Sequence, residues 1–225
     1  MVDALGKQTI YLAGDSTMAD YPPHSYPMQG WGSKLHLFIP DTVRVVNKAM
    51  CGRSSKSFIE EGRLEEILQT IKTGDYLFIQ FGHNDSKEDA DRHTSPWNTY
   101  HWYLRQYIDG AREKGAHPVL ISPLCRRHFD VDGLLINTHG DYPRSMEALA
   151  VQEKVPFVDL CGRSAVAFKE MGDAKSREWL TWLRPSEHPN YPEGIEDNTH
   201  LNEQGAEAVA RMVADAINKL NLKMG

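Results

Sequence analysis

The chain has 225 residues, 40% of them apolar, which is enough for one globular domain spanning 1–225 with a sizeable core. Twenty-five Lys and Arg against 31 Asp and Glu leave a formal charge of -6, which argues against a nucleic-acid or anionic-membrane partner. Cys51, Cys125 and Cys161 form neither a C-x-x-C pair nor a disulfide framework, and no apolar run is long enough to span a membrane. The short, mixed N-terminus has no signal-peptide pattern, so a reducing cytoplasm is the expected compartment.

Five apolar runs predict strands in chain order: Thr9–Ala13, Val43–Val46, Tyr76–Phe81, Pro118–Ser122 and Pro156–Leu160. Helical patterns lie between them. Trp31–Ile39 and Leu64–Ile71 partly fill the first two connections. Ser95-Pro96 then offers an N-cap and a proline at the first helical position. The helix that follows places Tyr100, Leu104, Tyr107, Ile108 and Ala111 on one face and ends at Gly115. Asp141–Glu153 repeats the pattern, with Met146, Leu149 and Ala150 facing inward. The proline-rich segment Leu180–Asn198 is expected to be a long loop. Beyond it, Asn202 caps a last helix with Ala206, Val209, Ala210, Val213, Ile217 and Leu220 at core spacing. Alternating strands and helices imply an α/β fold, a parallel sheet covered on both faces.

Ligands in such sheets bind beyond the carboxyl ends of the strands, which puts the turns there in view. The first strand runs into Gly14-Asp15-Ser16-Thr17-Met18, the second into a turn containing Gly52, and the third into Gly82-His83-Asn84-Asp85. Asp197-Asn198-Thr199-His200 precedes the last helix. Taken singly, each also reads as a polar or structural turn. Together they hold a serine, an imidazole to take its proton, a carboxylate to orient the imidazole, and donors for a developing oxyanion. A helix N-terminus next to His200 disfavours an imidazolium, which Asp197 can offset.

In this order, Gly14-Asp15-Ser16, Gly52, Gly82-His83-Asn84-Asp85 and Asp197-x-x-His200 resemble the four sequence blocks of the SGNH (GDSL-type) hydrolases. The resemblance implies Ser16 as nucleophile, His200 as general base and Asp197 as its orienting partner, with Ser16 N–H, Gly52 N–H and the Asn84 side chain as oxyanion hole. It also implies a three-layer α/β/α, flavodoxin-like fold with five parallel strands in the order 2-1-3-4-5. The wording around the blocks narrows the likeness. Gly14-Asp15-Ser16-Thr17-Met18-Ala19, Gly52-Arg53-Ser54-Ser55-Lys56-Ser57-Phe58, Phe81-Gly82-His83-Asn84-Asp85 and Thr138-His139-Gly140-Asp141-Tyr142-Pro143 resemble the rhamnogalacturonan acetylesterases. One departure is Ser122-Pro123-Leu124-Cys125-Arg126-Arg127, where many relatives carry Thr-Pro-x-x-Arg.

The expected activity is therefore removal of O-acetyl groups from rhamnogalacturonan or its oligosaccharides, with an acetylated pectic oligosaccharide as substrate. Alternatives are an esterase for another acetylated carbohydrate such as xylan fragments, and a non-catalytic carbohydrate-binding domain. Neither a nucleotide-binding glycine motif nor a G-x-S-x-G elbow is present. No cofactor is expected, and the spacing of the histidines suggests no metal. Pectic fragments carry carboxylates, so an acidic protein needs local cations to hold them. Arg53, Arg126 and Arg127 are expected at the rim for this purpose, with His83 lining the pocket; paired surface arginines are the competing reading. Oligomeric state is not legible in the sequence.

Overall fold

The computed structural model describes residues 7–220 and 222. Five strands, β1 (Thr9–Gly14), β2 (Arg44–Asn47), β3 (Tyr76–Gln80), β4 (His117–Ile121) and β5 (Phe157–Val158), form one sheet in the order β2-β1-β3-β4-β5. Every pairing in it is parallel, and the order is the one the resemblance implies. Successive side chains of a strand point to opposite faces, and the sheet fills both. Ile10, Leu12, Phe78, Val119 and Ile121 join Val209 and Val213 of a C-terminal helix in one core, while Tyr11, Ala13, Leu77, Ile79 and Leu120 join Phe58, Leu104 and Met146 in the other.

On the second face lie α1 (Ser55–Glu60), α2 (Arg63–Leu68), α3 (Thr99–Glu113) and α4 (Tyr142–Glu153). The inward faces expected for α3 and α4 are buried. The start expected for α3 is not where the chain places it. Ser95 does not cap: its N–H donates to Thr99 Oγ1, the Asn98 N–H returns to the Ser95 carbonyl, and the helix begins at Thr99 after a turn containing Pro96. The first expected helix, Trp31–Ile39, is a 3-10 segment over Trp31–Leu37.

α5 (Leu160–Ser176) takes up the end of the strand expected over Pro156–Leu160, because the Asp159 side chain accepts from Gly162 N–H and starts a helix there. The last helix, α6 (Glu203–Lys219), is capped by Asn202, whose side chain accepts from Gly205 N–H. Leu220, expected in its core stripe, is instead its exposed C-cap.

The largest correction concerns the expected loop Leu180–Asn198. It contains β6 (Leu180–Leu183) and the start of β7 (Ile195–Leu201), an antiparallel pair, and Asp197 and His200 both stand on β7. The prolines that suggested a loop, Pro185, Pro189 and Pro192, all fall in the connection between the two strands. No helix among the described residues is long and apolar enough to cross a membrane.

Candidate active site

β1 ends at Gly14, in register with Gln80 at the end of β3, and the chain turns at once. A hydrogen-bond chain holds that turn. Trp31 Nε1 donates to Gln80 Oε1 at 2.7 Å, Gln80 Nε2 to Thr17 Oγ1 at 2.6 Å, and Thr17 Oγ1 and N–H to Asp15 Oδ1 at 2.8 and 2.9 Å. All four side chains are buried. Ser16 is thus displayed from a rigid base, 9% exposed, with its Oγ 3.0 Å from His200 Nε2.

On β7, Asp197 Oδ1 accepts from the N–H groups of Thr199 and His200 at 2.7 and 2.8 Å, and Oδ2 lies 2.7 Å from His200 Nδ1. Burial pushes the Asp197 carboxyl up, but the bonds from the His200 ring and the two backbone donors outweigh it and hold it below the usual range. An ionised Asp197 accepts a hydrogen bond from His200 Nδ1–H and so keeps the ring proton on Nδ1. That choice leaves the Nε2 lone pair facing Ser16, the tautomer a general base needs.

Two further strand ends supply donors. Gly52 has φ +80°, a conformation that side chains rarely adopt, and an added Cβ there would meet no protein atom within 4 Å. Its requirement is therefore conformational. Gly82 has φ +139°, and its Cβ would lie 2.8 Å from Pro123 Cγ, so β4's loop packs directly on the turn carrying Asn84. Asn84 Nδ2 donates to the Arg53 carbonyl at 3.0 Å, tying this turn to the Gly52 turn and leaving one amide hydrogen uncommitted. Among the described residues, neither the Ser16 nor the Gly52 backbone N–H donates to a protein acceptor.

The three rim arginines part company. Arg53 is ion-paired with Glu61 at 3.0 Å and also donates to the Cys51 carbonyl. Arg127, expected at the rim, is 3% exposed. Its guanidinium binds Ser176 Oγ, Asp173 Oδ1 and Asn198 Oδ1, and its N–H donates to the Asn198 carbonyl. Arg127 thus clamps the residue beside Asp197 to α5, a bracing role that the sequence reading missed. Trp182 adds a bond from Nε1 to the same Asn198 Oδ1 at 3.1 Å. Arg126 stays half-buried, between the His83 and Thr138 carbonyls.

His83 is 3% exposed, with its Nδ1 3.3 Å from His139 Nε2. Burial, then the neighbouring charges, keeps both rings neutral: His83 falls well below the usual imidazole range and His139 to about 3. Two buried acids shift the other way. Burial, only partly offset by their hydroxyl and N–H donors, raises Asp15 and Asp85 each to about 6.

An acid that binds its proton more tightly in the folded chain favours folding at low pH, and that contribution is lost as pH rises from about 4 to about 6. Asp15→Asn removes one such group. Urea unfolding of variant and wild type at pH 4 and pH 7 is expected to show the variant gaining about 2 kcal/mol on the wild type between the two pH values. Parallel pH profiles would contradict the buried ionisation.

The model of the GDSL-like lipase/acylhydrolase family matches residues 12–208. The chain belongs to that family. It is 47% identical to the rhamnogalacturonan acetylesterase RhgT of Bacillus subtilis (strain 168) over 215 residues, covering 96% of this chain and 91% of the relative. It is 45% identical to the probable rhamnogalacturonan acetylesterase YesY of the same organism, covering 96% and 94%. The crystal structure of the Bacillus subtilis protein YxiM superposes with a TM-score of 0.83 at 30% identity, covering 97% of this chain and 58% of that longer one.

Proposed function

We propose that this family member is a serine acetylesterase that removes O-acetyl groups from rhamnogalacturonan or its oligosaccharides. The observation that carries the chemistry is the unbroken line from Asp197 Oδ2 through His200 to Ser16 Oγ, with steps of 2.7 and 3.0 Å. The substrate rests on the likeness to the two rhamnogalacturonan acetylesterases, which runs through nearly the whole chain.

In the first half-reaction Ser16 Oγ attacks the acetyl carbonyl carbon while His200 Nε2 takes the hydroxyl proton. Negative charge moves to the carbonyl oxygen, which accepts from Ser16 N–H, Gly52 N–H and the free Asn84 amide hydrogen. Collapse of this intermediate breaks the bond to the sugar oxygen, which leaves with the proton held by Nε2. Water then attacks the acetyl-serine, giving its proton to Nε2; acetate departs and Ser16 recovers its hydrogen.

Acetate release from acetylated rhamnogalacturonan oligosaccharides, acetylated xylo-oligosaccharides and aryl acetates tests the substrate reading. The highest kcat/KM is expected on rhamnogalacturonan oligosaccharides; turnover confined to the xylan fragments would overturn it. Asn84→Ala removes one oxyanion donor, and kcat is expected to fall about 10²- to 10³-fold on every ester, with KM little changed. A kcat within a few-fold of wild type would remove Asn84 from the oxyanion hole.

A further inference from the structure

Four arginines surround the site, and three are already matched with an acid: Arg53 with Glu61 at 3.0 Å, Arg92 with Asp89 at 2.7 Å and Arg127 with Asp173 at 2.5 Å. Arg126 differs. Its Nη2 donates to the His83 carbonyl at 2.9 Å and its Nη1 to the Thr138 carbonyl at 3.2 Å, with Thr138 Oγ1 at 3.5 Å. Those acceptors fix the plane of the guanidinium without cancelling its charge. Among the described residues Arg126 makes no ion pair, and its Nε–H and second Nη2–H have no protein acceptor.

Its surroundings sharpen the point. The carbonyl that orients it belongs to the residue before Asn84, so the free donors sit one residue from an oxyanion-hole side chain. The adjoining His83 and His139 rings are neutral and do not compete as cations. The buried Asp15 acts on Arg126 only through space, with no hydrogen bond between them. A fixed, planar, unmatched guanidinium on a protein of net charge -6 is the local cation that a carboxylate-bearing sugar requires.

We propose that Arg126 is a specificity-determining residue that binds a uronate carboxylate of the acetylated fragment through its unused N–H groups. This rests on the pectic substrate reading. The alternative role, propping the Asn84 turn through the His83 carbonyl, would slow every ester alike.

The test compares kcat/KM for acetate release from acetylated rhamnogalacturonan oligosaccharides with free carboxylates and from the same oligosaccharides after methyl esterification of those carboxylates. An aryl acetate serves as uncharged reference. Wild type is expected to prefer the free acid by about tenfold or more, the worth of one charge-assisted pair, with the preference residing in KM and shrinking as salt is added. In Arg126→Gln the preference is expected to fall to about one, while Arg126→Lys retains part of it and Lys87→Ala, removing an exposed neighbouring cation, leaves it intact.

A wild-type preference near one overturns the proposal without any variant, so loss of folding in Arg126→Gln does not protect it. An undiminished preference in Arg126→Gln overturns it equally. Failure of both pectic substrates alongside sound turnover of aryl and xylan acetates would instead bring down the substrate reading, and this inference with it.

Discussion

Ser16→Ala is expected to lower kcat on an aryl acetate by about 10⁶-fold, to the level left by binding and the oxyanion donors alone. The removed hydroxyl has His200 Nε2 as its hydrogen-bond partner, and the turn itself is held by Trp31, Gln80, Thr17 and Asp15 rather than by Ser16. The variant should therefore fold and bind as wild type does. Thermal unfolding and steady-state kinetics on one preparation separate the two properties. Near wild-type turnover in a folded Ser16→Ala protein would remove Ser16 as the nucleophile.

The second large effect is expected for Asp197→Asn. The amide oxygen can still accept from the Thr199 and His200 N–H groups, so the local turn on β7 survives. What changes is the atom facing His200 Nδ1. An amide NH₂ there donates where the carboxylate accepted, so the ring must carry its proton on Nε2 and offers Ser16 a donor in place of a base. A fall in kcat of about 10⁴-fold is expected, with KM little altered. A loss below tenfold would mean that Asp197 serves only as a backbone cap.

These expectations draw on two kinds of residue, and only one was legible in the sequence. β1 and β3 are buried on both faces and read as unbroken apolar runs, so the sheet and the turns at its carboxyl ends could be placed directly. Asp197 and His200 lie three apart, and Ser16 stands in the turn after β1, so the proposed triad was readable from local spacing and block order together. β7 was not. Its residues from Ile195 to His200 are exposed or half-buried, and Leu201 alone is fully covered, so no apolar alternation marks it. α5 was hidden because Ser164 interrupts its buried stripe of Leu160 and Phe168, and Gly172 breaks its backbone.

Bracing was the least legible feature, because its partners are distant in the chain. Arg127 reaches Asp173, Ser176 and Asn198 across 46 to 71 residues, and His83 meets His139 across 56. Position after the strand-end turns put Arg53, Arg126 and Arg127 near the site, but burial and pairing decide which of them is free. Arg127 holds Asn198 beside Asp197, Arg53 answers Glu61, and Arg126 keeps donors to spare.

In the proposed mechanism Ser16 Oγ is the atom that receives the acetyl group. Treating the protein with a fluorophosphonate, mapping the modified peptide by mass spectrometry and following acetate release from acetylated rhamnogalacturonan oligosaccharides tests it directly. The expected result is a single adduct on Ser16, with activity lost in proportion to its formation. An adduct confined to another residue with activity abolished, or acetate release undiminished once Ser16 is fully modified, would contradict it.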